Sequence, residues 1–192
     1  KETQRGLKLK LGFDPSLPLI VATGGGLGAA SINTSLLQAG PRLLADNVQL
    51  YHVTGRKHFD EVNALATRHD KNKVVPFVYE GMADVLGAAD IVISRASATF
   101  IQELAGLRKA AVLVPARALG DQQKNAEVYR KADAAVILTD DQIAEANVLY
   151  DALSTLLAAK GRREALARRL HAFARPNAAR DVAVIVLREG RR

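Results

Sequence analysis

Six short apolar runs punctuate the chain, at residues 19–23, 48–53, 73–77, 91–94, 111–114 and 135–138. Each is rich in Val, Ile and Leu and is bounded by Gly, Pro, Asp or a charged turn, as strands buried on both faces should be. Between them the apolar positions move to helical spacing. Helices are expected over 28–45, 57–69, 83–88, 99–106, 122–132, 141–160, 163–173 and 177–187. Thr139 followed by Gln142 is a capping-box pair that opens the helix over 141–160. Gly161 is expected to stop that helix, and Pro176 to interrupt the tail.

Strand and helix in alternation predict an α/β fold, a doubly wound, six-stranded parallel sheet of Rossmann-like form. The usual order for six such strands is 3-2-1-4-5-6, which sets the ends of strands one and four side by side where ligands bind. The loops after strand one (24–28), strand four (94–99) and strand five (120–125) then open on one edge. At 192 residues the chain is expected to be a single domain, with a core over about 12–160 and a basic helical tail over 161–192. It begins in mid-phrase with Lys1, Glu2 and Thr3, which suggests a piece of something longer.

Composition narrows the chemistry. Aromatic residues are 5% with no Trp, too few for the stacking platforms of single-stranded nucleic-acid binders, so no nucleic-acid partner is expected. The chain has no Cys, hence no disulfide or thiolate metal site, which fits a reducing compartment. No apolar run approaches the roughly 18 residues that span a bilayer. The net charge of +7 sits in the tail: residues 160–192 carry ten Lys/Arg and three Asp/Glu, leaving seventeen of each elsewhere. Such a strip is either a solvated helix face or a contact for an anionic membrane surface or an acidic partner.

The first loop carries Gly24, Gly25, Gly26 and Gly28 between an apolar strand and a helix. That arrangement brings backbone N–H groups and a positive helix end against phosphate oxygens, or simply makes a tight turn. A dinucleotide fingerprint would want an acid at the end of strand two; His52, Val53, Thr54 and Gly55 stand there, with Asp46 before the strand. A nicotinamide cofactor is therefore disfavoured. No Gly-Lys-Ser/Thr follows the glycines, so a Walker-type loop is excluded as well. In the second loop, Ser97 or Thr99 can cap the next helix, and its free N–H groups can carry a diphosphate's charge. Arg95 can neutralise phosphate or form an internal ion pair. Glu103, one turn into the helix, can accept from the vicinal hydroxyls of a ribose, though taken alone it reads first as a surface residue. The third loop offers Gln122 and Asn125 as neutral amides suited to sugar hydroxyls, or an Asp121 cap with a polar first turn. The four His are scattered, no Ser/His/Asp set exists, and no convincing general base is found.

Taken together, Thr23-Gly24-Gly25-Gly26-Leu27-Gly28-Ala29, His52-Val53-Thr54-Gly55, Ala89-Asp90-Ile91-Val92-Ile93-Ser94-Arg95, Glu103-Leu104-Ala105 and Gln122…Asn125-Ala126 occur in the order and spacing of one family. The chain resembles, from about residue 12 to 187, the C-terminal domain of the MurG-type peptidoglycan glycosyltransferases. These transfer N-acetylglucosamine from UDP-N-acetylglucosamine to the undecaprenyl-pyrophosphoryl-muramoyl-pentapeptide carrier, making lipid II from lipid I.

The resemblance implies the donor-binding half of a two-domain GT-B enzyme, peripheral on the cytoplasmic side of the plasma membrane. The N-terminal acceptor domain is absent from this sequence; the catalytic residues, unknown here, and the lipid-linked acceptor would belong to it. Backbone around Gly25, Gly26 and Leu27, and of Ala98, Thr99 and Phe100, would hold the diphosphate. Glu103 would bind the ribose, main chain near Val78 the uracil, and Gln122 with Asn125 the amino sugar. No cofactor and no required metal are implied. Departures occur at Gly26, where the family often has Ser, at Ser97 and Phe100, at Asp121, and in a uracil stretch one residue longer. Rival readings are another UDP-sugar-dependent glycolipid transferase, or a non-catalytic module that binds a nucleotide sugar and recruits a partner.

Overall fold

The structure is a computed structural model and describes residues 2–25, 28–145 and 147–190. The elements run α1 (Gln4–Lys10), β1 (Leu19–Thr23), α2 (Ala30–Ala45), β2 (Gln49–Val53), α3 (Phe59–Leu65), β3 (Asn72–Val75), α4 (Met82–Ala88), β4 (Ile91–Ser94), α5 (Ala98–Gly106), β5 (Ala110–Leu113), α6 (Gly120–Lys131), β6 (Val136–Ile137), α7 (Asp140–Ala144), α8 (Val148–Ala158), α9 (Lys160–His171) and α10 (Ala178–Glu189). The six strands form one parallel sheet in the order β3-β2-β1-β4-β5-β6. The doubly wound α/β architecture is thus the one that the strand pattern predicts.

Two-sided burial follows from the two-residue period of a strand. In β1, Leu19 and Val21 pack into one core layer with Leu86 of α4, Leu104 of α5 and Leu170 of α9. Ile20 and Ala22 point the other way, onto Leu36 of α2, Leu153 of α8 and Leu166 of α9. Register sets Val21 beside Tyr51 and Val92, and Thr23 beside Val53 and Ser94, so the tips of β1, β2 and β4 end level. The loops that leave those tips share one edge.

Several boundaries differ from the sequence expectation. Helix α1 is not among the elements expected from sequence, and it leaves Leu9 exposed. It forms because Lys8, almost fully buried, donates to the Leu17 carbonyl and to Asp90, both at 2.7 Å, while the Gln4 amide donates to the Ala89 carbonyl at 2.9 Å. The helix expected over 141–160 is two helices: Glu145 is extended and Asn147 takes φ 71° before α8 begins. Gly161 does not stop a helix; it lies inside α9, and the break falls at Ala159 (φ −101°, ψ 73°). Arg163 reaches back to the carbonyls of Leu156 (2.7 Å) and Leu157, satisfying the C-terminal end of α8 from outside it.

Buried Leu7, Leu166 and Leu170 carry the core beyond the 12–160 span on both sides. The basic tail is in part a packing element. Arg162 and Arg169 of α9 both pair with Asp133, whereas α10 buries no side chain.

Candidate functional site

A cleft of about 490 Å³ opens at the carboxyl ends of β1, β4 and β5. Three loops line it. The first contributes Thr23, Gly24, Gly25 and Gly28; the second Ser94, Arg95, Ser97, Thr99, Phe100 and Glu103; the third Ala116, Leu119 and Gln122. The strand order places them together: β1 and β4 are neighbours at the point where the chain reverses its winding, with β5 next.

Local chemistry shapes the first loop. The Thr23 hydroxyl accepts from the Gly25 N–H at 3.1 Å, and the Gly28 N–H donates to the Gly25 carbonyl at 3.0 Å. Gly25 and Gly28 both take positive φ, 78° and 77°. At Gly28 the reason is contact as well as conformation, since a Cβ there would lie 2.2 Å from the Thr54 carbonyl oxygen. The tip of β2 presses directly on this turn. A buried network holds that tip: Asn33 of α2 donates through Nδ2 to the Thr54 carbonyl at 3.0 Å, while its Oδ1 lies 2.9 Å from His52 Nε2. Because the Asn33 amide nitrogen is already donating, His52 must carry its proton on Nε2. Burial pushes the His52 pKa down to about 4, so the ring is neutral at pH 7.

Helices α2, α5 and α6 begin at the cleft wall, and none has a side-chain cap. Ser97 occupies the N-cap of α5 in extended conformation, yet its hydroxyl makes no cap bond. The cap of α6 is Leu119, so Asp121 lies in the first turn instead of capping it. First-turn N–H groups at the cleft are thereby left for another acceptor.

Of the residues singled out from sequence, Gly25, Thr99, Phe100, Glu103 and Gln122 meet in this cleft. Gly26 and Leu27 lie outside the described residues. Ala98 is exposed at the first position of α5, next to the lining but not in it. Glu103 is also exposed, one turn further along. Gln122 turns its Oε1 to the Ala116 N–H at 3.0 Å, bracing the third loop. Asn125 stands behind the wall and donates to the Ala96 carbonyl at 3.1 Å, tying α6 to the second loop.

Val78 also lies off the cleft lining. Its side chain packs on the core, while the flanking Phe77 and Tyr79 rings meet edge to face at 5.1 Å beneath the Arg56 guanidinium. Arg95 forms the internal ion pair: it lies 2.7 Å from Asp140 and also donates to Ser31 Oγ at 3.0 Å and the Val114 carbonyl at 3.2 Å.

Sequence reasoning missed Asn33, Ser31 and Asp140. Only Asp140 had any local signal, through the capping box beside it, where Thr139 Oγ1 accepts from the Gln142 N–H at 3.1 Å and Gln142 Oε1 from the Thr139 N–H at 2.8 Å.

Residues 19–182 match the glycosyltransferase family 28 C-terminal domain. The chain belongs to this family. It is 36% identical over 180 residues to the UDP-N-acetylglucosamine--N-acetylmuramyl-(pentapeptide) pyrophosphoryl-undecaprenol N-acetylglucosamine transferase of Paenarthrobacter aurescens, across 92% of this chain and 48% of that protein. The protein of the same name from Oenococcus oeni is 34% identical over 173 residues, 87% of this chain and 46% of that one. The crystal structure of Acinetobacter baumannii MurG superposes with a TM-score of 0.78 at 25% identity, over 97% of this chain and 55% of that one. The C-terminal CMP-Kdo binding domain of WaaA from the same organism shares the fold at a TM-score of 0.65 and 14% identity, over 88% of this chain and 94% of that domain. This family 28 chain thus spans about half the length of the transferases it resembles.

Proposed function

We propose that the cleft binds UDP-N-acetylglucosamine and that the chain is the donor-binding part of an inverting N-acetylglucosaminyltransferase of cell-wall synthesis. The observation that carries this reading is the convergence of a glycine turn, three uncapped helix starts and Glu103 on one cleft at the switch point. Uncapped helix starts offer N–H donors and positive dipole ends to a pyrophosphate, and they do so most strongly as charge builds on the departing UDP. Backbone of 25–27 and 98–100 holds the diphosphate, and no metal is required. Glu103 accepts from the ribose hydroxyls. Main chain around Val78, kept in place by the inward-packed side chain, reads the uracil. Gln122 lies near the amino sugar, with Asn125 fixing the loop behind it.

The names of the family 28 relatives support N-acetylglucosamine as the transferred sugar and a lipid-linked muramoyl-pentapeptide as the acceptor. A hydroxyl of the lipid-linked muramoyl-pentapeptide acceptor attacks the anomeric carbon and UDP leaves. The base and the acceptor contacts lie in sequence beyond this chain, and the whole enzyme works at the cytoplasmic face of the plasma membrane.

Calorimetric titration of the chain with UDP-N-acetylglucosamine, UDP-glucose and UDP-galactose, with and without magnesium, tests the proposal. Tightest binding of the N-acetylated sugar, unchanged when magnesium is omitted, is the expected result. A folded chain that binds none of the three refutes it.

A further inference from the structure

The three cleft loops leave different strands, and their own residues tie them in pairs: Arg95 donates to Ser31 Oγ and to the Val114 carbonyl, and Asn125 to the Ala96 carbonyl. A single carboxylate outside all three joins them at one point. Asp140, the first residue of α7, lies 45 residues beyond Arg95 and 109 beyond Ser31 in sequence. Its Oδ1 accepts from Ser31 Oγ at 2.6 Å and from the Arg95 guanidinium at 2.7 Å; its Oδ2 accepts from the Arg117 backbone N–H at 3.2 Å. Ser31 is in the first turn of the helix that follows the glycine turn, Arg95 is in the second loop, and Arg117 is in the third. The Asp140 side chain is 22% exposed and that of Arg95 17%, so water competes weakly for these bonds.

Resting on the donor reading above, we propose that Asp140 is the positioning residue of the cleft: its carboxylate sets the spacing of the three loops and keeps the Arg95 guanidinium out of the nucleotide's place. A packing role alone would not need these partners. Helices α2 and α7 already have a separate tie, from Ser35 Oγ to the Ile143 carbonyl, in the buried layer between them. Of the Asp140 bonds, one goes to the first turn of α2 behind the glycine turn and the other two go to the second and third loops. Sites of this kind lose affinity when their supports loosen, even with every contacting group still present.

The experiment compares D140N, S31A and S35A with the wild-type chain, by UDP titration and by amide hydrogen exchange at a temperature where all are folded. D140N keeps the size of the side chain and removes its charge. Its UDP affinity is expected to fall about tenfold, with faster exchange across 94–99 and 115–120. S31A removes one arm only and is expected to move both readouts the same way by about threefold; it decides the matter if D140N does not fold. S35A cuts the packing tie and is expected to lower the melting temperature with neither readout changed. Wild-type affinity in D140N, or in S31A where D140N cannot be read, overturns the proposal. Exchange in the two loops that rises equally in S35A overturns it too. If the wild-type chain binds no UDP, the donor reading fails instead, and the exchange comparison still decides whether Asp140 holds the loops.

Discussion

Replacing Gly28 with alanine separates two demands on the first loop, its backbone conformation and its contact with β2. Gly25 and Gly28 have nearly the same φ, 78° and 77°. Their surroundings differ. A Cβ at Gly25 would meet nothing within 4 Å, whereas one at Gly28 would lie 2.2 Å from the Thr54 carbonyl oxygen and 3.2 Å from Gly55 Cα. That carbonyl cannot retreat easily, being held by Asn33 Nδ2, with the Thr54 N–H bonded to the Val75 carbonyl at 3.0 Å. Left-handed backbone costs an L-residue about 1–2 kcal/mol, which is all that Gly25→Ala should lose. Overpacking adds about 1–3 kcal/mol, so Gly28→Ala should lose about 2–5 kcal/mol in total. Urea denaturation at constant m-value measures both variants. Gly28→Ala must also shift the turn, and UDP titration should show affinity reduced by more than about tenfold. Equal destabilisation of the two variants would refute the claim that β2 shapes the turn by contact.

Stability should depend on pH through His52. Its folded pKa of about 4 lies below the ordinary 6.5, so stability is level above 6.5 and declines as pH falls from 6.5 to 4, by about 3 kcal/mol in all. Asp133, held below the usual carboxylate value by Arg162 and Arg169 against the opposing effect of burial, and Asp140, where burial is outweighed by the bonds from Ser31, Arg95 and the Arg117 N–H, lose their contribution only at lower pH. Urea midpoints at pH 7 and 4.5 should therefore differ in the wild type and much less in His52→Leu; parallel declines would exclude the buried ring as the cause. Glu103→Ala should weaken UDP by about 1.5–3 kcal/mol, the worth of hydrogen bonds to a charged group, and change stability by less than about 0.5 kcal/mol. Unaltered affinity by calorimetry would remove its ribose role. Thr139→Ala breaks the capping box of α7 and should cost about 1 kcal/mol, or about 2–4 °C in melting temperature. An unchanged melting curve would show that the box contributes nothing.

Much of the site was readable because its parts are local. The glycine turn announces itself by composition, and the second and third loops by small or amide residues after apolar runs. What joins them was not readable. Asn33 reads as a polar helix residue, yet it buttresses the turn through Thr54; Arg95 was open between phosphate and ion pair until Asp140 stood beside it. Val78 and Asn125 lie off the cleft lining, one packed inward and the other bonded behind the wall, a distinction set by side-chain direction and not by spacing.

By itself the sequence determined the strands, their alternation with helices and the order of the sheet. A parallel strand must bury both faces, so it is written as an unbroken apolar run, and right-handed crossovers leave few ways to arrange six of them. Only the tertiary structure decided α1, the break between α7 and α8, the continuation of α9 through Gly161, and the Asp140 hub. The break before α9 rests on Arg163 reaching back to the end of α8, whereas α1 and the hub depend on partners distant along the chain: Lys8 with Asp90, and Asp140 with Ser31, Arg95 and Arg117 at once. Such energies exist only after the sheet has brought those segments together, and no local pattern encodes them.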